Sequence, residues 1–186
     1  MPRIGLVAVF VFLAGCQTYY DRFVDGNERS PYFEVAVDSK LVLKDRLTIP
    51  ANTDRVYFQN GRIYTAQDTN EYLAYCMLQT RTRKDTPQTI EPDEFVVRKV
   101  YQQTIYQLAS GESLRLAQID GGGGGVMEYR VDVAIMEISS EKQADITRLV
   151  CGRWELPLDQ PHITIADMRT ALGRIFELRL ANPRAG

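Results

Sequence analysis

Between Leu41 and Ile49, apolar side chains fall on alternate positions, the spacing of a half-buried β-strand. Leu41, Leu43, Leu47 and Ile49 alternate with Val42, Lys44, Arg46 and Thr48, and the run stops at Pro50. In RVYFQNGRIYT (55–65), Asn60-Gly61 separates two short strand-like runs. Both residues tolerate the positive φ of a type I′ turn, so the segment predicts a β-hairpin. Further strands are predicted over 72–81, 95–107, 129–139 and 149–155, and the loop DTPQTIEPDE, with Pro87 and Pro92, separates the first two of these. Alternation in the 95–107 run is imperfect: Lys99 and Gln103 share a face with Phe95 and Tyr101. That strand is expected to be partly exposed or to lie at an edge.

Near the end the period changes. Thr164 precedes IADMRTALG, with Asp167 three residues on, Met168 and Leu172 four apart, and Gly173 placed to terminate. These are the signals of one short capped helix. FELRL then predicts a final strand, with Phe176, Leu178 and Leu180 on one face. The fold class expected is mainly β: an antiparallel β-sandwich or small barrel with one short C-terminal helix.

The N-terminal segment has neither period. Met1 to Arg3 carry one positive charge, and Ile4 to Gly15 form an uncharged apolar run, the order of a secretory signal peptide. A transmembrane helix wants about 20 apolar residues, and this run meets Cys16, Gln17 and Asp21 first. Leu13, Ala14, Gly15 and Cys16 resemble the lipobox of bacterial lipoproteins. The resemblance implies that Cys16 receives diacylglycerol and a further acyl chain such as palmitate, and that residues 1–15 are cleaved. It also implies an anchor of two or three chains, each buried methylene contributing roughly 0.8 kcal/mol. Gln17 in place of Asp after the cysteine favours, by the same resemblance, the outer membrane. Residues 16–32 then read as a lipidated terminus and flexible tether and 33–186 as a single β-rich domain. Tyr19, Tyr20 and Phe23 suit the headgroup level of a bilayer.

Export exposes Cys76 and Cys151 to an oxidising compartment, and with Cys16 lipidated they are the one remaining pair. A Cys76–Cys151 disulfide is predicted; two buried free thiols or a redox pair are the alternatives, and no C-x-x-C motif is present.

Candidate chemistry is sparse. The formal net charge is -2, with no basic excess to attract nucleic acid. Gly121 to Gly125 lack a following Lys-Ser or Lys-Thr and read as a hairpin connection rather than a phosphate loop. His162 is the single histidine, too few for an imidazole metal site, and sits in a turn-like QPHIT. Asp93, Glu94, Glu128 and Asp132 are the carboxylates from which an acid and base pair would be drawn. Tyrosine stands out with 10 copies, of which Tyr57, Tyr64, Tyr72, Tyr75, Tyr101, Tyr106 and Tyr129 fall in strand-like segments. A subset on an exposed sheet face would form a contact surface.

IPANTDRVYFQNG, EYLAYC and TIEPDEFVVRKV resemble envelope lipoproteins of Gram-negative bacteria, a likeness that implies a compartment and a β-rich fold and no activity. The expected role is a non-enzymatic structural or protein-interaction module, lipid-anchored in the outer membrane with its domain facing the periplasm, without cofactor or metal. A binding module for a small molecule or glycan is the alternative, with an enzyme third.

Overall fold

A computed structural model describes residues 27–70, 72–108, 128–155 and 163–181. Cys16, the signal segment, Tyr19, Tyr20, Phe23, the Gly121–Gly125 run and His162 lie outside them. The strands are β1 (Lys40–Leu43), β2 (Leu47–Ile49), β3 (Thr53–Gln59), β4 (Arg62–Tyr64), β5 (Tyr75–Lys84), β6 (Gln88–Ile90), β7 (Asp93–Leu108), β8 (Glu128–Ser139), β9 (Ile146–Glu155) and β10 (Phe176–Arg179). One helix, α1 (Ile165–Leu172), precedes β10. Eight strands form one antiparallel sheet in the order β10-β1-β7-β8-β9-β5-β3-β4, and β2 pairs with β6. The sheet curls into a half-barrel, so the expected mainly β class holds.

The core fills the concave side. Phe58, Cys76, Leu78, Phe95, Met136, Leu149 and Cys151 are fully buried there, and α1 adds Ile165, Met168, Ala171 and Leu172. The helix forms as its caps dictate: Thr164 Oγ1 accepts from the Asp167 N–H, and Asp167 Oδ2 accepts from the Thr164 N–H at 3.1 Å.

The run from Leu41 to Ile49 is two strands rather than one. All four inward residues are buried, but the chain bends between Leu43 and Leu47 and sends β2 to its own two-stranded sheet with β6. β6 lies inside the segment expected as a loop. β7 is interior, between β1 and β8, yet β1 covers only Asp93 to Val96, so among the described residues the rest of β7 pairs with β8 on one side only. The imperfect alternation is a β-bulge between Val97 and Lys99, which turns Phe95 and Val97 inward but Tyr101 outward.

The β10 edge is guarded by charge. Lys44 and Arg179 (2.7 Å) both reach Glu177, and Glu94 binds Lys40 at 2.6 Å and Arg179 at 3.6 Å. Arg179 and then Lys44 hold the Glu177 carboxyl down at about 2. Arg55, helped by Gln79, likewise lowers Asp54 against a smaller opposing effect of burial. Burial pushes Asp93 up, but hydrogen bonds from Ser140, Gln143 and the Glu94 N–H together outweigh it and hold the carboxyl below its ordinary value. Depressed carboxylates bind fewer protons folded than unfolded, so their contribution is complete above the unfolded pKa values and is lost as pH falls. Urea midpoints are expected to drop as pH is lowered from about 4.5 to about 2, and a midpoint constant across that window would remove these carboxylates from the stability account.

A candidate docking face on the convex side

Residues paired in register on adjacent strands present their side chains to the same face, so they form rows across the sheet. One convex row is Tyr64 (β4), Tyr57 (β3), Met77 (β5), Val150 (β9), Ile135 (β8) and Tyr101 (β7). It crosses six strands without a polar residue. Ile135 is buried in it, and the other five are half-buried. On one side the next positions are Tyr75, Gly152 and Val133. A Cβ on Gly152 would lie 2.7 Å from Val133 Cγ1 and 3.3 Å from the Asp132 carbonyl oxygen, so the absent side chain lets Val133 and Tyr75 close over the backbone. Tyr57 and Tyr75 meet at 6.3 Å between ring centroids.

On the other side the row is polar: Arg55, Gln79, Arg148, Glu137 and Lys99. Three of the five are basic and one acidic, and Lys99 Nζ sits 5.1 Å from the Tyr101 ring centroid. The face is therefore an apolar row with a mostly basic rim along one side, in which Arg55 is also held by Asp54 at 2.8 Å.

At the β4 end the row runs into an open groove of about 580 Å³, lined by Pro50, Arg55, Val56, Tyr57, Ile63 and Tyr64 among others. The groove's shape depends on Gln59. This buried amide donates to the carbonyls of Asn70 (2.7 Å) and Leu73 (3.2 Å) and accepts from the Asn70 N–H (3.0 Å), pinning the segment after β4 back onto β3. Thr53 Oγ1 accepts from the Arg55 N–H and donates to the Arg55 carbonyl, so the open edge of β3 beside the groove is closed locally.

Among the described residues, Asp93, Glu94 and Asp132 are not assembled as an acid and base pair. Asp93 accepts from Ser140 Oγ at 2.5 Å, Gln143 Nε2 at 3.1 Å and the Glu94 N–H at 2.8 Å, tying the β8–β9 connection to the start of β7. Glu94 belongs to the charged ladder at β10. Asp132 faces Arg153 in register, and both are engaged. The Glu128 side chain lies outside the described residues. Among the described residues no three His, Cys, Asp or Glu side chains converge on a metal position, and no helix is long and apolar enough to cross a membrane.

Cys76 and Cys151 form a disulfide across β5 and β9, Cα to Cα 4.0 Å, fully buried on the concave side. It joins the two strands that carry Met77 and Val150 on the other side. No protein-family model, curated protein or solved structure matches the chain.

Proposed function

We propose that this chain is a lipoprotein anchored through Cys16 in the outer membrane and facing the periplasm, and that its β-domain is a non-enzymatic interaction module for another envelope protein. The observation that carries the reading is the unbroken row Tyr64–Tyr57–Met77–Val150–Ile135–Tyr101. Aromatic and methionine side chains supply much of the energy at protein interfaces, and rim charges steer the partner. The rim of Arg55, Arg148 and Lys99 fits a partner with an apolar patch bordered by acidic residues.

A photocrosslinking side chain placed at Met77 tests this in cells, with one at Arg83 as the control position. One envelope protein is expected from position 77, not from 83, and its yield falls about tenfold or more in Tyr57→Glu, which meets the acidic border with a like charge. Equal capture from both positions, or unchanged capture in a folded Tyr57→Glu protein, overturns the interaction reading. Cys16→Ser in the same cells removes the lipid mass and the membrane fractionation; wild-type protein without lipid mass overturns the anchor. The groove beside Tyr57 and Tyr64 favours the second reading, in which a glycan ring stacks on the two tyrosines. Glycan-induced NMR shifts confined to the groove, with no protein captured, would replace the first reading by this one.

A further inference from the structure

Five large apolar side chains among the described residues stand clear of the surface, and three of them lie within eleven residues: Ile63 (52% exposed), Tyr72 (65%) and Leu73 (45%). The backbone brings both segments to the β3–β4 hairpin. Ile63 is on the short edge strand β4, and Gln59, the partner of Arg62 in the hairpin, holds the Leu73 carbonyl. The hairpin turn is docked in its turn on the C-terminal end of α1, where the Gly61 N–H donates to the Ala171 carbonyl at 3.0 Å. Arg62 and Arg174 follow the two touching glycines, Gly61 and Gly173. Both side chains are exposed, and neither has an ion pair among the described residues. Of the two acids that follow β4 before Leu73, Asp68 is turned to Thr65 Oγ1 at 2.6 Å, and Glu71 lies outside the described residues. Aliphatic and aromatic tips flanked by unpaired arginines are the composition that settles at a headgroup layer.

The incoming chain is fixed to the same helix. Arg169 grips both carboxylate oxygens of Glu28, at 2.7 and 2.9 Å, and the Ala166 N–H donates to the Glu28 carbonyl at 2.9 Å. Glu28 is only twelve residues beyond Cys16. That length spans at most about 40 Å and on the order of 20 Å as a flexible chain. Helix α1 thus ties the chain arriving from Cys16 to the exposed corner, within reach of one bilayer.

We propose that this corner, Arg62, Ile63, Tyr72, Leu73 and Arg174, is a second membrane contact, made with an anionic lipid surface. The inference rests on lipidation at Cys16, which brings the bilayer within reach. Lipid attachment alone leaves a domain free to turn; the corner would fix its orientation, with the β4 end of the convex row at the bilayer and the rest of the row running away from it toward β7.

Amide exchange of the full chain as isolated from cells tests this, with vesicles of phosphatidylethanolamine and phosphatidylglycerol or of phosphatidylcholine alone, alongside the intact mass at Cys16. Exchange in 62–64 and 72–74 is expected to slow with the anionic vesicles only. Arg62→Gln with Arg174→Gln weakens that protection by about ten- to thirtyfold, from about 1 kcal/mol per surface arginine. Lipid at Cys16 with equal exchange in both vesicles overturns the corner and leaves the anchor standing. Protection without lipid at Cys16 supports the corner and overturns the anchor, and neither signal overturns both.

Discussion

Gly173→Ala is expected to lower the stability of the domain by about 2–6 kcal/mol, a drop of roughly 4–24 °C in melting temperature for a chain of this size. Two independent costs add. The residue sits at φ 54° and ψ -132°, a backbone region that side chains other than glycine do not enter, which costs about 1–3 kcal/mol. Its Cβ would also lie 2.3 Å from the Gly61 Cα. The obstruction is backbone, not the tip of a side chain, so relief requires the β3–β4 hairpin to lift off α1, at a further cost of about 1–3 kcal/mol. Gly61 should be the milder site. Its φ of 69° belongs to the left-handed turn that Asn60 beside it also adopts, and its Cβ would stand 3.1 Å from the Gly173 Cα. Chemical denaturation of Gly173→Ala, Gly61→Ala and the exposed control Arg174→Ala should rank them in that order. A Gly173→Ala midpoint equal to the control would mean that the glycine contact does not lock hairpin to helix.

Local signals made most of the architecture legible. Asn60-Gly61 marks the hairpin, and both residues have the positive φ a type I′ turn needs. Thr164, Asp167 and Gly173 bound the helix as a capping box and a glycine stop should. Other features depend on partners far along the chain. Lys44, Asp45 and Arg46 carry no glycine or proline, so the one local mark of the bend that parts β1 from β2 is the exposed Asp45 in a slot where the alternation calls for an apolar residue. β6 has three residues between two proline-bearing turns, too few for a period to emerge. The bulge in β7 was visible only as a broken alternation and read as edge character, which holds among the described residues for the part of the strand that β1 does not cover.

The convex row was legible in part. Its tyrosines stood out by type, but Met77, Val150 and Ile135 did not, since a row that passes through the non-consecutive pairings β3–β5 and β5–β9 exists only once the register is set. One clue was available in VDVAIMEI (131–138), where Val131, Val133 and Ile135 alternate with Ala134, Met136 and Ile138. A strand apolar on both faces is one that expects cover on both. Gln59 gave no signal at all: a glutamine that bonds backbone carbonyls looks, in sequence, like any surface amide.

Removal of the Cys76–Cys151 bond is the other change with a large expected effect, a loss of roughly 4 kcal/mol on the chain-entropy account for a sequence separation of 75. Cys76→Ala with Cys151→Ala isolates that loss with little new polarity in the core. Cys76→Ser should cost about 1–3 kcal/mol more, since it leaves a hydroxyl and a lone thiol where the wild-type sulfurs are fully buried among Phe58, Leu78 and Ala134. The same burial sets a kinetic expectation. An external thiol cannot reach the bond in the folded sheet, so reduction should follow opening of β5 from β9 and stay slow until denaturant is added. Urea titrations of oxidised protein, protein reduced after unfolding, and the double variant check the size of the effect. Coincident midpoints for the first two would leave ordinary strand pairing to carry the stability. The consequence reaches the convex face, because the bond joins the strands that display Met77 and Val150. Without it, β5 and β9 should exchange amide protons faster, and crosslinking from position 77 should fall in parallel. A double variant that loses stability yet captures the partner at the wild-type yield would separate the two faces of the sheet and make the disulfide a device of stability alone.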